Sequence, residues 1–321
     1  MASNSETLVT VFGGSGFLGR NVVRALCRRD YRVRVAVRRP ELAGYLQPSG
    51  RVGQVHTIQA NLRYPASVEA AVRDSDVVIN LVGILTEGGA QSFDAVQAKG
   101  AETVAKAAAA AGARMIHVSA IGADAESPSR YAKAKAAGEA AVMAAVPSAT
   151  IFRPSVMFGP EDQFTNRFAA LARMSPVLPL IGGATKMQPV YVGDVATAIA
   201  DAVDGKAKAG ATYELGGPEV LTMREIIEAI LAIADRKPAL IPLPFGLARF
   251  KANFLQFAPG ALKLTPDQVT LLERDNIVSD AAKAAGLTLE GLGIPADSLE
   301  AIAPQYLWRF RPQGQFQRKS A

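Results

Sequence analysis

The first half of the chain alternates short apolar runs with longer stretches of helical period. Residues 7–12 (TLVTVF) are β-branched and end in glycines, which predicts a buried strand. Residues 17–29 read as a helix. Residues 32–37 (RVRVAV) alternate strictly and Pro40 closes them. A third strand is predicted at 54–59 and a helix at 65–73, with Pro65 in its first turn. A fourth strand follows at 76–81 (DVVINL), then an alanine-rich helix at 92–112 that Gly112 is placed to cap. A strand at 114–119, a helix at 131–146 and a strand at 149–153 complete the series. Strands that alternate with helices of this length predict an α/β fold with a parallel sheet and right-handed crossovers.

Beyond Pro154 the texture changes. Prolines and glycines crowd residues 154–189. One strand–helix unit is predicted at 188–203 and a strand at 212–215, while residues 218–321 lack regular alternation. No internal repeat is present.

Composition narrows the classes. The chain has 321 residues, 49% hydrophobic and 20% charged, which argues against disorder and against a protein that coats nucleic acid. Its net charge of +6 fits an anionic ligand, an acidic partner or a lipid surface. The single cysteine, Cys27, excludes an internal disulfide. With only two histidines, His56 and His117, no metal site is expected, and no iron–sulfur ligand set exists. No apolar run reaches the ~18 residues that a transmembrane helix needs. Residues 1–6 are polar and a strand begins at Thr7, so no signal or transit peptide is expected. The expectation is a cytoplasmic bacterial protein, or an already processed one.

A glycine loop lies between the first strand and the first helix. Gly14, Gly16 and Gly19 fit G-x-G-x-x-G, and Gly13, Gly16 and Gly19 fit the wider spacing G-x-x-G-x-x-G. Such glycines allow a tight turn, let a pyrophosphate approach backbone N–H groups, and seat the helix close to the sheet. Gly13, Ser15, Gly16, Phe17, Leu18, Gly19 and Arg20 are therefore the expected phosphate cradle. This predicts a Rossmann-type doubly wound domain over 1–155 with a return segment at 188–216, and a smaller mixed C-terminal lobe from 156–187 and 217–321. The second strand ends Val37-Arg38-Arg39-Pro40, where an NAD-preferring site has a carboxylate. Arg38 and Arg39 can pair with a 2′-phosphate, so NADP(H) is expected over NAD(H). Asn61 and Leu62 after the third strand, and Leu81, Val82 and Gly83 after the fourth, fall at the carboxyl ends of strands, where the adenosine would lie. Asn61 also suits a turn.

Ser119 ends the fifth strand, and Tyr131 and Lys135 share one helix face at i, i+4. An ammonium beside a phenol lowers its pKa, and a serine hydroxyl can hold a substrate oxygen while the phenol moves a proton. Tyr–Lys pairs at this spacing are also common on solvated helix faces. Their position after the fifth strand of a glycine-loop fold is what raises them.

The glycine loop, Ser119 and Tyr131/Lys135 together resemble the extended and atypical short-chain dehydrogenase/reductases. That resemblance implies acid/base chemistry for Tyr131, a ribose contact for Lys135, substrate orientation for Ser119, and nicotinamide contact for the segment at Pro154 and Ser155. Three blocks, 127–139 (SPSRYAKAKAAGE), 158–166 (FGPEDQFTN) and 188–195 (QPVYVGDV), resemble the nucleotide-binding accessory subunit family of mitochondrial-type respiratory complex I in its alphaproteobacterial form. The implied role is structural and in assembly, with NADPH held tightly off the electron path. The implied partners are complex I subunits and the membrane surface, at the cytoplasmic face of the inner membrane. The alternative is a free-standing NADP(H)-dependent reductase or epimerase using Tyr131, and a weaker third reading is a regulator that senses NADPH.

Other residues carry blander expectations. His117 is read as a sheet-face histidine, Asp194 as an N-cap, and Glu161 and Asp162 as a turn salt-bridged to Arg167. Residues 242–257 (PLPFGLARFKANFLQF) form either an ordinary lobe helix or an amphipathic element with basic flanks. The tail from Tyr306 to Ala321 is either a loose terminus or an aromatic and arginine anchor.

Overall fold

The computed structural model describes residues 4–313. Strand β1 (Leu8–Phe12) is buried at all five positions and β4 (Val77–Asn80) at all four, as a parallel sheet covered on both faces requires. Between and after them run α1 (Phe17–Cys27), β2 (Arg32–Val37), β3 (Val55–Gln59), α2 (Pro65–Val72), α3 (Lys99–Ala110), β5 (Arg114–Val118), α4 (Arg130–Ala145) and β6 (Thr150–Pro154). The chain continues through β7 (Met157–Phe158), α5 (Thr165–Met174), β8 (Val177–Ile181), β9 (Lys186–Met187) and β10 (Val190–Tyr191), then α6 (Val192–Val203) and β11 (Thr212–Leu215). After these come β12 (Leu221–Thr222), α7 (Met223–Ile233), β13 (Ala239–Leu243) and α8 (Phe245–Leu255), followed by short helical turns. Among the described residues no helix is long and apolar enough to cross a membrane.

Two units emerge. The first holds the chain up to Pro154 together with Gly193–Leu215 and Ser279–Pro295. Its seven-stranded sheet has the order β11-β6-β5-β4-β1-β2-β3, and every neighbouring pair is parallel. The direction of strand growth reverses beside β1, which makes a doubly wound, Rossmann-type sheet. Alanines 101, 105 and 108 of α3 let that helix settle against α2 and α4. Residues 279–295 join this unit because Ser279 N donates to Glu214 Oε2 at 2.7 Å and Glu214 N to Leu287 O at 2.9 Å.

The helix predicted over 92–112 begins as a π-helical turn at Asp94–Ala98 before α3. A Cβ on Gly138 of α4 would collide with the Gln97 carbonyl, so glycine there lets α4 approach this turn.

The second unit, described by itself, has three two-stranded sheets, β10-β7, β12-β9 and β13-β8. Its core joins Phe158, Leu178 and Leu180 to Ile226, Ile227 and Ile230 of α7. Thr222 and Glu225 close a capping box at the start of α7. Three expectations are corrected here. Tyr306, Leu307 and Phe310 are buried in this core, and the Tyr306 hydroxyl lies 2.9 Å from Thr165 Oγ1, so this part of the tail is neither loose nor a free anchor. Phe316, Arg318 and Lys319 lie outside the described residues. Arg167 does not hold the acidic turn; it donates to the carbonyls of Ala261 (2.8 Å) and Lys263 (2.6 Å). Asp162 is instead satisfied by backbone N–H groups of Gly159, Phe164 and Asn166 and by Thr165 Oγ1. Asp194 falls inside the first turn of α6, where a carboxylate suits the helix dipole, rather than ahead of it as a cap.

Candidate functional site

The glycine loop follows β1 in the first unit. Gly13 has φ +79°, a conformation that favours glycine, and its carbonyl accepts from Gly16 N at 3.0 Å. A Cβ on Gly19 would collide with that same carbonyl. The backbone requirement for glycine at Gly13 and Gly19 fits the wider of the two spacings. Gly16 caps α1 without any side-chain hydrogen bond, so the first N–H groups of α1 have no side-chain acceptor at their cap. Ser15, Phe17 and Leu18 complete this turn. Arg20 folds back, with its guanidinium 5.2 Å from the Tyr45 ring centroid and Nε donating to Gly16 O at 3.4 Å. Tyr45 Oη in turn donates to Ser15 O at 2.6 Å.

Arg38 and Arg39 are exposed directly after β2, and neither makes an ion pair among the described residues. Asn61 sits after β3 with its Oδ1 accepting from Arg63 N at 3.2 Å, a side-chain turn, while Leu62 packs on the core beside Gly100. Leu81, Val82 and Gly83 leave β4 under the control of Asn80, whose Oδ1 accepts from Val82 N at 3.1 Å. Asn80 Nδ2 lies 3.3 Å from His117 Nδ1. Burial, with a smaller contribution from the Lys135 charge, lowers the His117 pKa to about 3. The ring is therefore neutral, and with Nδ1 accepting from the amide its proton sits on Nε2. This is the sheet-face histidine expected.

Ser119 follows β5, and its backbone N–H donates to Phe152 O at 2.7 Å. Ser129 caps α4 by accepting from Ala132 N, which fixes the first turn that carries Tyr131. Lys135 is buried; its Nζ donates to Val118 O at 3.2 Å and lies 6.0 Å from the Tyr131 ring centroid. Burial pulls the Lys135 pKa down to about 8, partly opposed by the Glu139 carboxylate. Phe93 meets Tyr131 edge-on with centroids 5.7 Å apart. Pro154 ends β6. Ser155 begins the second unit and spends its hydroxyl on Asn276, 2.6 Å from Oδ1.

Sequence reasoning missed Gln97. It is buried on the π-helical turn, and a Cβ on Gly83 would lie 3.4 Å from both Gln97 Oε1 and Lys135 Nζ. The buried side-chain polar atoms without a partner among the described residues are Gln97 Nε2 and Oε1, His117 Nε2 and Ser119 Oγ. Unpartnered buried polar groups are costly and scarce in native proteins. All of these belong to the elements at or behind the carboxyl ends of β4 and β5, where a sheet of this kind binds its ligand. A polar ligand with ribose hydroxyls fits them. No local pattern in the sequence announces a π-helical turn, which is why Gln97 escaped notice.

A parallel sheet in this order, a glycine turn after β1 and a Tyr-x-x-x-Lys helix define an NAD(P)-binding fold of the extended short-chain dehydrogenase/reductase kind. The chain belongs to the NAD dependent epimerase/dehydratase family, whose model matches residues 9–216. It is 38% identical to the mitochondrial NADH dehydrogenase (ubiquinone) 1 alpha subcomplex subunit 9 of Arabidopsis thaliana, over 98% of this chain and 80% of that protein. It is 35% identical to a ceramide reductase of Caulobacter vibrioides over 76% of each chain. Its fold matches the Escherichia coli NADPH-dependent quinone oxidoreductase complexed with NADPH at a TM-score of 0.72 and 20% identity, over 93% of this chain and 99% of that one.

Proposed function

We propose that this chain is an accessory subunit of a complex I-type respiratory NADH dehydrogenase, holding NADP(H) for structure and assembly at the cytoplasmic face of a bacterial inner membrane. The observation that carries this reading is the similarity to the Arabidopsis subunit along almost the whole chain. Gly13, Gly16 and Gly19 with Ser15, Phe17, Leu18 and Arg20 surround the pyrophosphate. Asn61, Leu62, Leu81, Val82 and Gly83 flank the adenosine. Ser119, Tyr131, Lys135 and Gln97 serve the nicotinamide ribose end, with Pro154 and Ser155 beyond it. Bound dinucleotide supplies hydride-transfer capacity, which the structural role leaves unused.

A second reading, a free-standing reductase, is favoured by the intact Ser119/Tyr131/Lys135 set and by the likeness to the Caulobacter reductase. Affinity purification of the tagged chain from membranes separates the two. Respiratory subunits recovered with it, in equal yield for Tyr131→Phe, support the accessory role. A soluble chain free of such subunits, with a carbonyl turnover that Tyr131→Phe abolishes, installs the reductase instead.

Cofactor choice rests on Arg38 and Arg39. Calorimetry is expected to give NADPH at least about tenfold tighter than NADH, about 1.4 kcal/mol. Replacing both arginines by alanine should bring the two affinities together. Equal affinities in the unmodified chain would refute the assignment.

Lys135 sets a pH dependence. Its pKa is lowered to about 8, so the ammonium persists below that pH and is lost as pH rises through it. A charge-assisted contact to the ribose is then strongest below pH 8. NADPH affinity should fall as pH climbs from 7 to 9, and Lys135→Met should bind more weakly throughout with a flat profile. A flat profile in the unmodified chain counts against this role.

A further inference from the structure

The geometry points to α8, with the open face of β8 and β13, as a surface that docks onto an anionic lipid bilayer. Helix α8 is packed the wrong way round for a helix that ends in water. It buries Ala248 and Ala252 against Val269 and leaves its large side chains outside. Phe250 is 62% exposed, Phe254 68%, and Phe257, just past the helix, 83%. Leu247, Phe250 and Phe254 recur at i, i+3 and i+7, so they form one stripe. Phe250 and Phe254 meet edge-on with centroids 5.6 Å apart.

The strand pair that leads into the helix repeats the pattern. Strands β8 and β13 run parallel, with Val177 opposite Ala239 and Pro179 opposite Ile241. Those four residues are exposed and share one face by strand alternation. Parallel strands are ordinarily covered on both faces. An uncovered apolar parallel face and an outward aromatic stripe in one stretch of chain call for the same kind of cover.

Charge selects that cover. Of the chain's 29 acidic residues, none falls between Asp235 and Asp267. That interval carries Arg236, Lys237, Arg249, Lys251 and Lys263. Arg249 pairs with Glu273 at 2.5 Å, which neutralises the carboxylate in contact with the helix. Lys251, exposed between Phe250 and the buried Ala252, has no acidic partner among the described residues. Aromatic side chains beside an excess of basic residues suit an interface of acyl chains and anionic headgroups. The inference deepens the accessory-subunit reading and rests on it for which bilayer the chain meets. The test contains no other subunit, so the two fail separately.

Flotation of the full chain with phosphatidylcholine vesicles, with and without phosphatidylglycerol, is the experiment. The chain should float with the anionic vesicles only, and less as salt rises. The triple variant Phe250→Ser/Phe254→Ser/Phe257→Ser should lose about tenfold in partitioning, and Lys251→Glu/Lys263→Glu should lose the salt-sensitive part. Melting followed by circular dichroism should be unchanged, since these side chains are exposed. The inference is overturned if the unmodified chain stays unbound with anionic vesicles, or if the triple variant floats equally well. It is also overturned if sedimentation shows a dimer that the triple variant abolishes.

Discussion

Gly19→Ala is expected to abolish dinucleotide binding and to cost the first unit about 2–3 kcal/mol. The methyl group would enter the space held by the Gly13 carbonyl and the Gly14 backbone. Backbone cannot rotate away as a flexible side chain can, so α1 must shift. Gly13 already occupies φ +79°, and its carbonyl holds Gly16 N at 3.0 Å, so a shift of α1 pulls apart the turn that exposes the N–H groups to phosphate. Binding and stability therefore fall together. Calorimetry with NADPH and urea denaturation measure the two effects. Gly88→Ala is the control, because open space lies where its Cβ would go. A Gly19→Ala chain that binds NADPH as tightly as the original would refute the role given to this loop.

Glu139→Ala should be strongly destabilising, at about 3 kcal/mol. Glu139 is buried on α4 and takes two hydrogen bonds from Arg153 on β6, at 2.8 and 2.5 Å. Its carboxylate bond is the main cause that raises the Arg153 pKa. Removing it leaves a partly buried guanidinium with only Glu214, 3.7 Å away. The same carboxylate opposes the lowering of the Lys135 pKa, so its loss should also push that lysine below about 8 and move the pH profile of NADPH binding downward. Glu139→Gln keeps the shape and some hydrogen bonding, and should cost less. A loss below about 1 kcal/mol in the alanine variant would show that the pair behaves like a solvated surface bridge.

How much of this was legible in the sequence differs by region. Strands β1 to β6 were visible because each is a short apolar run between helical stretches, a purely local signal. The strand at 32–37 and the strand at 212–215 appear with the expected bounds. Ser119, Tyr131 and Lys135 were singled out less by spacing than by their place at the end of the fifth strand and on the helix after it. The second unit was not, because its strands pair across long separations, as β8 does with β13, and its core is assembled from Phe158, α7 and residues near 306. Arg167 illustrates the difficulty. Charge adjacency suggested Glu161 and Asp162 as partners, but the fold brings two carbonyls from residues 261 and 263 to it instead. Gln97 was invisible for a different reason: its importance comes from being buried without a partner, a property of the assembled structure.

The burial of Tyr306, Leu307 and Phe310 bears on how the chain is made. Arg236 Nε reaches the Phe310 carbonyl at 3.1 Å, and Arg311 Nε reaches Ile233 O at 2.8 Å, so the end of α7 is tied to the last described turn. A ribosome delivers those residues after α5 and α7. The second unit cannot complete its core until residues 306–310 have emerged, however early α5 and α7 do. A premature stop upstream of Phe310 should thus yield a nascent chain that recruits chaperones and is degraded.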